Sequence, residues 1–347
     1  MKMTKYLRSA VLLISSLLLL NIFTLSASAE INNNLIPPGE KLEVIYNQGT
    51  HLEGPAVAPD GQVYFCDLTP SSLAKGALLG GHIMKYDPKA KKITVFRSPS
   101  GQADGLAFDA VGRLIAAEAA DYGGRRITAT DFETGKAVIL AAEFNGQPLN
   151  SPNDVVTDNT GRIYFTDPRY FGKEAMNQAV QGVYRIDRDG KIRLIIGNAG
   201  KPNGIALSPD QKTLYVDSND NGLFDYRSST AGLATRRGFD GILAYDLLED
   251  GTAKFREIVY QSPGFRPDGM RIDSDGNIFV ANYDPSHPGI LVLSPKGEEM
   301  GYIQTPETVT NCEFGIGAES NVLFITGNKS LYKVVTTHHG EKKAYQE

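Results

Sequence analysis

Several residue types that define common protein classes are scarce in this 347-residue chain. Only two cysteines are present, too few for a scaffold held together by disulfide bonds. None of the five histidines stands in an HxH or HExxH arrangement, the spacings typical of zinc sites. No GxSxG segment is present, so the sequence does not indicate a serine hydrolase with a nucleophile elbow.

Basic residues are not in excess except at the N-terminus, which has the pattern of a signal peptide. Three basic residues precede a mainly apolar run at 10–25, and Ala27-Ser28-Ala29 offers a cleavage site with a mature start at Glu30. The alternative is an uncleaved membrane anchor, but the run is short for a membrane span and contains polar residues. We therefore expect residues 1–29 to be removed and the protein to be exported, either periplasmic or secreted.

The mature chain is acidic. It keeps 32 basic against 40 acidic residues, a net charge of −8. Nucleic acids and anionic membranes attract clustered Lys and Arg, so neither is an expected partner.

Long amphipathic helical patterns are also lacking, and one short segment type recurs six times instead. Each copy places an acidic or amide residue before a small apolar run: THLEGPAV, GQADGLAF, NSPNDVVT, GKPNGIAL, FRPDGMRI and VTNCEFGI. These six marked residues are Glu53, Asp104, Asn153, Asn203, Asp268 and Asn311, with steps of 51, 49, 50, 65 and 43 residues. A period near 50 residues indicates a repeat architecture.

The strand pattern predicts an all-β, six-bladed β-propeller over residues 30–337. Five repeats contain four strand candidates, and the sixth lacks its last one. The run KLEVIYN at 41–47 can supply that strand and close the ring. Residues 338–347 form a polar tail, in which His338 and His339 are expected to be exposed to solvent. A β-sandwich is the alternative, but it does not explain the period.

The longest step contains an insertion at about 217–238, rich in Gly, Ser, Asp and Asn. It can either cover a site or be a tolerated surface loop.

Equivalent positions in a ring converge on its axis, so the six marked side chains predict an oxygen-rich cation site. Carboxylates and amides are ligands that Ca²⁺ accepts, with Mg²⁺ or Mn²⁺ as further candidates, whereas Zn²⁺ prefers His and Cys. The alternative is that each Asp or Asn only forms a turn, an interpretation that six copies in one frame disfavour.

Four segments are distinctive: EGPAVAPDGQVYF, LNSPNDVVTDNTGRIYFTDPRYFG, KPNGIALSPDQKTLYV and PDGMRIDSDGNIFVAN. They resemble the senescence marker protein/gluconolactonase family, also called regucalcin-like lactonases, and the second resembles the bacterial gluconolactonases in particular. The resemblance spans essentially the whole mature chain. It implies a six-bladed β-propeller that holds one divalent cation and that hydrolyses a sugar lactone. With the ligand types above, Ca²⁺ is the first candidate for this cation, and Mg²⁺, Mn²⁺ and Zn²⁺ are the others. By motif, the implied ligands are Glu53, Asn153, Asn203 and Asp268.

The sequence departs from the family at two positions that bear on substrate binding. Asp104 stands where many relatives have Asn, and Ser151 stands where animal members carry an Arg that contacts substrate. We expect Asp104 and Ser151 to contact the substrate, and Asn311 to be a bystander that lines the channel.

The mechanism that follows is metal-assisted lactone hydrolysis. The cation polarises the carbonyl and activates water, and Asp268 acts as general base or as nucleophile. Two alternatives stay open: an exported propeller that binds a partner and uses the cation structurally, and a phosphotriesterase-like hydrolase.

Cys66 and Cys312 lie in the first and sixth repeats, which become neighbours when the ring closes. They either form a disulfide bond that locks the closure or remain two buried free thiols.

Overall fold

Short runs of Val, Ile, Tyr and Phe alternate with Gly-containing turns along this chain, and the result is an almost purely antiparallel strand structure. The computed structural model describes residues 34–74, 78–220 and 238–346. The predicted signal peptide and most of the predicted insertion lie outside these residues. Six four-stranded sheets, the blades, follow one another along the chain. Within the described residues, neither of the two short 3-10 helices could cross a membrane.

The first three blades keep their strands in chain order, innermost first. A short strand, β1 (Glu43–Tyr46), precedes them. Blade 1 contains β2 (His51–Val57), β3 (Val63–Leu68), β4 (His82–Asp87) and β5 (Lys92–Arg97). Blade 2 contains β6 (Ala103–Phe108), β7 (Leu114–Glu118), β8 (Arg126–Thr130) and β9 (Ala137–Ala141). A small hairpin, β10 (Glu143–Phe144) and β11 (Gln147–Pro148), leads to blade 3. Blade 3 contains β12 (Val155–Thr157), β13 (Ile163–Asp167), β14 (Gly182–Ile186) and β15 (Ile192–Ile196).

The next two blades repeat the arrangement, and the last one differs. Blade 4 contains β16 (Pro202–Leu207), β17 (Thr213–Asn219), β18 (Asp240–Leu247) and β19 (Ala253–Tyr260). Blade 5 contains β20 (Pro267–Ile272), β21 (Ile278–Asn282), β22 (Gly289–Leu293) and β23 (Glu299–Gln304). Blade 6 contains β24 (Val309–Phe314), β25 (Val322–Gly327) and β26 (Leu331–Val335). The 3-10 turns are Gly317–Glu319 and Ala344–Gln346.

The N-terminal strand closes the ring, as the sequence predicts. Strand β1 pairs antiparallel with β26 as the fourth strand of blade 6, with Glu43 opposite Lys333 and Val44 opposite Tyr332. The innermost strands contact one another in the order β2, β6, β12, β16, β20 and β24, and β24 returns to β2. The six-bladed propeller prediction is therefore confirmed.

The hydrophobic core is divided into six clusters, one between each pair of neighbouring blades. Alternation along each strand produces this division. In β7, Leu114 and Ala116 pack toward blade 1, whereas Ile115 and Ala117 pack toward blade 3.

The same alternation determines where the side chains of the two cysteines point. Cys66 packs in the cluster between blades 1 and 2, and Cys312 in the cluster between blades 5 and 6. Their side chains therefore point away from the blade 1–blade 6 interface, and both are buried free thiols. The disulfide alternative is wrong because alternation along the strands turns Cys66 toward blade 2 and Cys312 toward blade 5, and not toward each other.

The C-terminal tail packs against the ring, although its sequence suggests a solvated segment. The Nδ1 atom of His338 lies 2.7 Å from Asp273 Oδ2, and its ring packs edge-on against Phe279. His339 is exposed as expected, but the predicted exposure of His338 is wrong because Asp273 and Phe279 hold it. Farther along, the Tyr345 hydroxyl donates to the carbonyl of Val57 in blade 1 at 2.6 Å.

Candidate functional site

The marked residues lie at one end of the channel because the innermost strands bulge there. In β2 the pairing with β3 shifts by one residue between Glu53 and Ala56. The innermost strands of blades 2, 4, 5 and 6 shift in the same region. Bulges of this kind turn a side chain out of the regular pleat, and they recur next to active sites.

Glycine after the marked residue lets neighbouring blades approach closely. Gly54 has φ +45°, and a Cβ there would collide with the carbonyl oxygen of Asp104 in the next blade. At Gly269 a Cβ would collide with the side chain of Asn311. The recurring Gly thus allows the inner strands to converge, which brings the marked side chains together.

A cavity of about 420 Å³ lies at this end of the ring, within the size range of small-molecule sites. Five of the six marked residues line it: Glu53, Asp104, Asn153, Asn203 and Asp268. Their exposed fractions do not exceed 7%, so three buried carboxylates line the same cavity. The amide of Asn153 donates to Asp104 Oδ2 at 2.9 Å.

Burial and mutual repulsion act on these carboxylates together. Burial raises the pKa of Glu53 to about 8, and the nearby carboxylate of Asp154 adds to the shift. Burial and the charge of Glu53 also raise the pKa of Asp104 and of Asp268 well above the ordinary range. A hydrogen bond with Asn203 lowers the pKa of Asp268 in part. The site therefore favours a positive charge among its oxygens.

The donor set fits a hard divalent cation. Among the described residues, no three His, Cys, Asp or Glu side chains are arranged to hold a metal by themselves. A cation in this cavity would therefore need the amide oxygens of Asn153 and Asn203 beside Glu53 and Asp268. A mixed carboxylate and amide set of this kind is typical of Ca²⁺ sites.

Four blades share a hydrogen bond that holds the backbone just before the marked residue; we call it the clamp. In each, a polar side chain near the end of the second strand accepts from the N–H two residues before the marked position. In blade 3, Asp167 accepts from Ser151 N–H at 2.6 Å and from Asn150 N–H at 2.8 Å. The other three clamps are Asp67 with His51 at 3.4 Å, Ser218 with Lys201 at 3.1 Å and Asn282 with Arg266 at 3.0 Å.

The clamped blades carry Glu53, Asn153, Asn203 and Asp268, and the other two blades use the corresponding residue differently. In blade 2, Glu118 accepts from Arg97, Arg126 and Thr128. In blade 6, the Thr326 hydroxyl donates to the carbonyl of Asn311 at 3.3 Å. The four marked residues that follow a clamp are therefore the same four that the family motifs imply as metal ligands. Asp104 and Asn311 belong to neither set.

Ser151 and Asn311 do not line the cavity, although the side chain of Asn311 hydrogen-bonds to Glu53. The hydroxyl oxygen of Ser151 accepts from Ala120 N–H at 2.9 Å, and its own N–H is part of the clamp. Asn311 packs against Gly269, and its Oδ1 accepts from Cys312 N–H at 2.8 Å. Asp104 faces the cavity, whereas a substrate contact through the Ser151 side chain stays a prediction.

The rest of the cavity wall consists of residues that the repeat does not mark. They are His51, Tyr170, Phe171, Asn219, Arg266 and Tyr283. The ring of His51 packs edge-on against Phe171 and Tyr283, with centroids 5.8 and 6.2 Å apart, and burial lowers the pKa of His51 to about 4. The neutral imidazole and the aromatic rings give the site an apolar wall.

One sequence signal could have found part of this wall. In an antiparallel hairpin the end of the second strand lies beside the start of the first. Asn219 ends β17 and Tyr283 directly follows β21, so each lies beside the residue two positions before a marked residue.

An ionic layer lies deeper in the channel. Arg271 contacts Asp154 Oδ2 at 3.3 Å and Glu313 Oε2 at 3.1 Å, and Lys343 of the tail contacts Glu313 Oε1 at 3.2 Å. Asp154 follows Asn153 directly in the sequence. The layer links the candidate site to the C-terminal tail.

Comparison with known sequences identifies the family. The chain matches the model of the SMP-30/Gluconolactonase/LRE-like region over residues 52–329. A gluconolactonase from Zymomonas mobilis is 28% identical over 86% of this chain and 82% of the relative. A lactonase drp35 from Staphylococcus saprophyticus is 30% identical over 76% of this chain and 72% of the relative.

Solved structures agree with this match. A gluconolactonase from Xanthomonas campestris superposes with a TM-score of 0.72 at 28% identity, covering 88% of this chain and 92% of that chain. Regucalcin from Agrobacterium tumefaciens, a calcium-binding protein, shares the fold with a TM-score of 0.64 at 15% identity over 89% of this chain and 98% of that chain. Since the family match covers most of the sequence, the protein belongs to the SMP-30/gluconolactonase/LRE-like family, in which the named gluconolactonases and lactonase are lactone hydrolases.

Proposed function

We propose that this protein hydrolyses a sugar lactone with the help of a divalent cation. The observation that carries the proposal is the single cavity that joins three buried carboxylates and two amides at one end of the ring. Membership of a family with named lactonases supports the reaction class, and the donor set supports the cation.

Glu53, Asn153, Asn203 and Asp268 would hold the cation, with Ca²⁺ as the first candidate and Mg²⁺, Mn²⁺ and Zn²⁺ as the others. When bound, the cation supplies Lewis-acid stabilisation of negative charge on the lactone carbonyl oxygen. Two of these four residues are carboxylates, so a divalent cation balances their charge.

The protein's own groups account for the remaining chemistry. Asp268 lies on the cavity wall and can take the proton of the attacking water, or attack the carbonyl itself. Asp104 holds the amide of Asn153 at 2.9 Å and also faces the cavity, where it can accept from a substrate hydroxyl. The apolar wall of His51, Phe171 and Tyr283 excludes water from the reacting bond.

The test is an assay of purified protein on a panel of aldono-1,4- and aldono-1,5-lactones and phosphotriesters, before and after EDTA treatment. We expect lactone turnover that chelation abolishes and that one of Ca²⁺, Mg²⁺, Mn²⁺ or Zn²⁺ restores. Asp268→Asn should lower kcat/KM by about a hundredfold or more, because it removes the proton acceptor. Asp275→Asn, in an exposed turn of the same blade, is the matched control and should be neutral.

Three results would contradict the proposal. Lactone turnover that survives both chelation and Asp268→Asn overturns the metal-assisted mechanism. Absence of turnover with retained cation binding indicates a binding module with a structural cation, and turnover of phosphotriesters alone indicates the phosphotriesterase-like alternative.

We further propose that the protein acts outside the cytoplasm. The support is the sequence pattern at residues 1–29 and the cleavage site before Glu30. Expression of the full chain in a bacterial host, followed by fractionation and mass measurement, should give a periplasmic or secreted product that begins at Glu30. A full-length cytoplasmic product would contradict export.

A further inference from the structure

One wall residue has a charge that the proposed reaction does not use. Arg266 is the only Lys or Arg among the described residues that line the cavity. It stands two residues before Asp268 and is partly exposed, whereas Asp268 is buried. Arg266 therefore lies toward the mouth, and the proposed reacting centre lies deeper.

The backbone of Arg266 is fixed on both sides. Its N–H donates to Asn282 Oδ1 at 3.0 Å, which is the clamp of blade 5. Its carbonyl accepts from Tyr283 N–H at 2.8 Å, and the side chain of Tyr283 lines the same cavity. The side chain thus starts from a preorganised position.

The guanidinium has unused hydrogen-bonding capacity. Its Nε is buried and has no hydrogen-bond partner among the described residues. The charge of Arg266 contributes to the lowered pKa of Asp284, but the two oxygens of Asp284 accept hydrogen bonds from Ser286. Arg97 and Arg271, by contrast, each contact a buried carboxylate.

We propose that Arg266 binds an anionic group of the substrate, so that the preferred substrate is a sugar lactone with a carboxylate or phosphate remote from the reacting carbonyl. The planar guanidinium presents a fork of N–H donors that matches either anion. A group bound near the mouth leaves the lactone ring beside Asp268, against the apolar wall. This inference rests on the proposed lactonase function and specifies its substrate class.

The experiment compares matched lactones that differ in one negative charge. D-glucono-1,4-lactone and D-glucaro-1,4-lactone differ only at C6, where the second carries a carboxylate. D-glucono-1,5-lactone and its 6-phosphate form the second pair. For wild type we expect kcat/KM to be about ten to a hundred times higher for the charged member of at least one pair, the range of a charge-assisted hydrogen bond. The pair that shows the preference distinguishes carboxylate from phosphate.

Variants test the residue. Arg266→Gln should lower the charged-to-neutral ratio of kcat/KM by about tenfold or more. Arg266→Lys should restore the ratio only in part, because an ammonium cannot bind in a bidentate manner. Arg188→Gln, at an exposed turn of blade 3, is the matched control and should leave the ratio unchanged.

A preference of wild type for the neutral lactones, or an equal loss on both members in Arg266→Gln, overturns the inference while the lactonase function stands. If wild type hydrolyses none of these lactones, the proposed function fails for this panel, and calorimetric titration then tests Arg266 separately. The probes are D-gluconate, D-glucarate and D-gluconate 6-phosphate. A probe with a second anionic group should bind wild type more tightly than D-gluconate does, and this difference should disappear in Arg266→Gln. Equal binding in both proteins overturns the inference.

Discussion

The proposed ligands are held in place by the clamp, which involves the backbone before each ligand and not the ligand's own side chain. In blade 3, Asp167 is fully buried, and its two oxygens accept from two consecutive N–H groups just before Asn153. Partners of this kind orient the groups that bind a metal. We therefore regard Asp167 as a positioning residue.

We expect Asp167→Asn to lower both cation affinity and kcat/KM by about tenfold to a hundredfold, the usual effect of losing such a partner. One amide oxygen cannot replace two carboxylate oxygens, so the segment that carries Asn153 loses its fixed geometry. Cation titration and steady-state kinetics measure the two effects. Asp158→Asn is the control: Asp158 is also buried in blade 3 but accepts from Thr160 and Arg162 in the hairpin turn. A merely structural role for Asp167 would make the two variants alike in kinetics.

Asp167→Asn should also change how the free energy of unfolding depends on pH, which an effect on packing alone would not do. Burial raises the pKa of Asp167 to about 7 from an ordinary value of 3.8. Between these values the folded state keeps a proton that the unfolded state releases, so the contribution of Asp167 to stability falls as pH rises from about 4 to 7. The free energy of unfolding should therefore decline less over this range in Asp167→Asn than in wild type.

Sequence reasoning located the marked residues but not the wall around them. Glu53 and Asp268 repeat in frame and are followed by Gly, so their convergence was predictable. His51 lies in a repeated segment, two residues before Glu53, but the other copies have no His at that position, and Tyr170 lies after β13. Both reach the cavity because bulges and loops bring different blades together there. The clamp was also unforeseen, because it depends on which side chain ends the second strand.

Among the structural elements, the segment before blade 1 completes the fold from outside the repeats. Leu35 is 3% exposed and packs with Phe279, Phe314 and Val334 between blades 5 and 6. Its carbonyl also accepts from Thr337 N–H at 2.9 Å. The strand β1 of this segment was predictable from the missing fourth strand, whereas the anchor at Leu35 was not, because it depends on contacts with the distant blades.

We expect Leu35→Ala to reduce the free energy of unfolding by about 2–4 kcal/mol, because it leaves a cavity in this cluster. Val44→Ala, in the same segment but at a side chain that is 56% exposed, should cost much less. Chemical denaturation of both variants measures the difference. Equal losses would show that the segment acts through its backbone pairing with β26 and not through the anchor.

The ring as a whole brings together carboxylates that would not repel one another on isolated blades. Glu53, Asp104 and Asp268 come from blades 1, 2 and 5, and only closure of the ring places them in one buried cavity. The period of about 50 residues therefore predicted both the fold and the cavity, because blades that repeat around an axis bring their equivalent residues together at that axis. The raised pKa values could not be predicted, since they depend on how completely the blades exclude water.

This convergence predicts how the effect of a cation depends on pH. Without a cation, the raised pKa values of these carboxylates mean that the folded state holds protons that the unfolded state releases. Stability of the cation-free protein should therefore fall as pH rises through the Glu53 pKa of about 8. A bound cation replaces those protons, so its stabilising effect should grow from pH 6 to pH 8 and should reach about 2–3 kcal/mol at a cation concentration of about 100 times Kd.

Thermal unfolding with EDTA or with excess Ca²⁺ at pH 6, 7 and 8 measures this growth, and calorimetry in buffers of different ionisation enthalpy counts the protons released. The part of the proton release that comes from Glu53 should decrease above pH 8, where Glu53 is already ionised. Glu53→Gln should weaken Ca²⁺ binding and flatten its pH dependence, whereas Asp158→Asn should change neither. A stabilisation by Ca²⁺ that is independent of pH, and that persists in Glu53→Gln, would mean that the cation binds elsewhere on the ring.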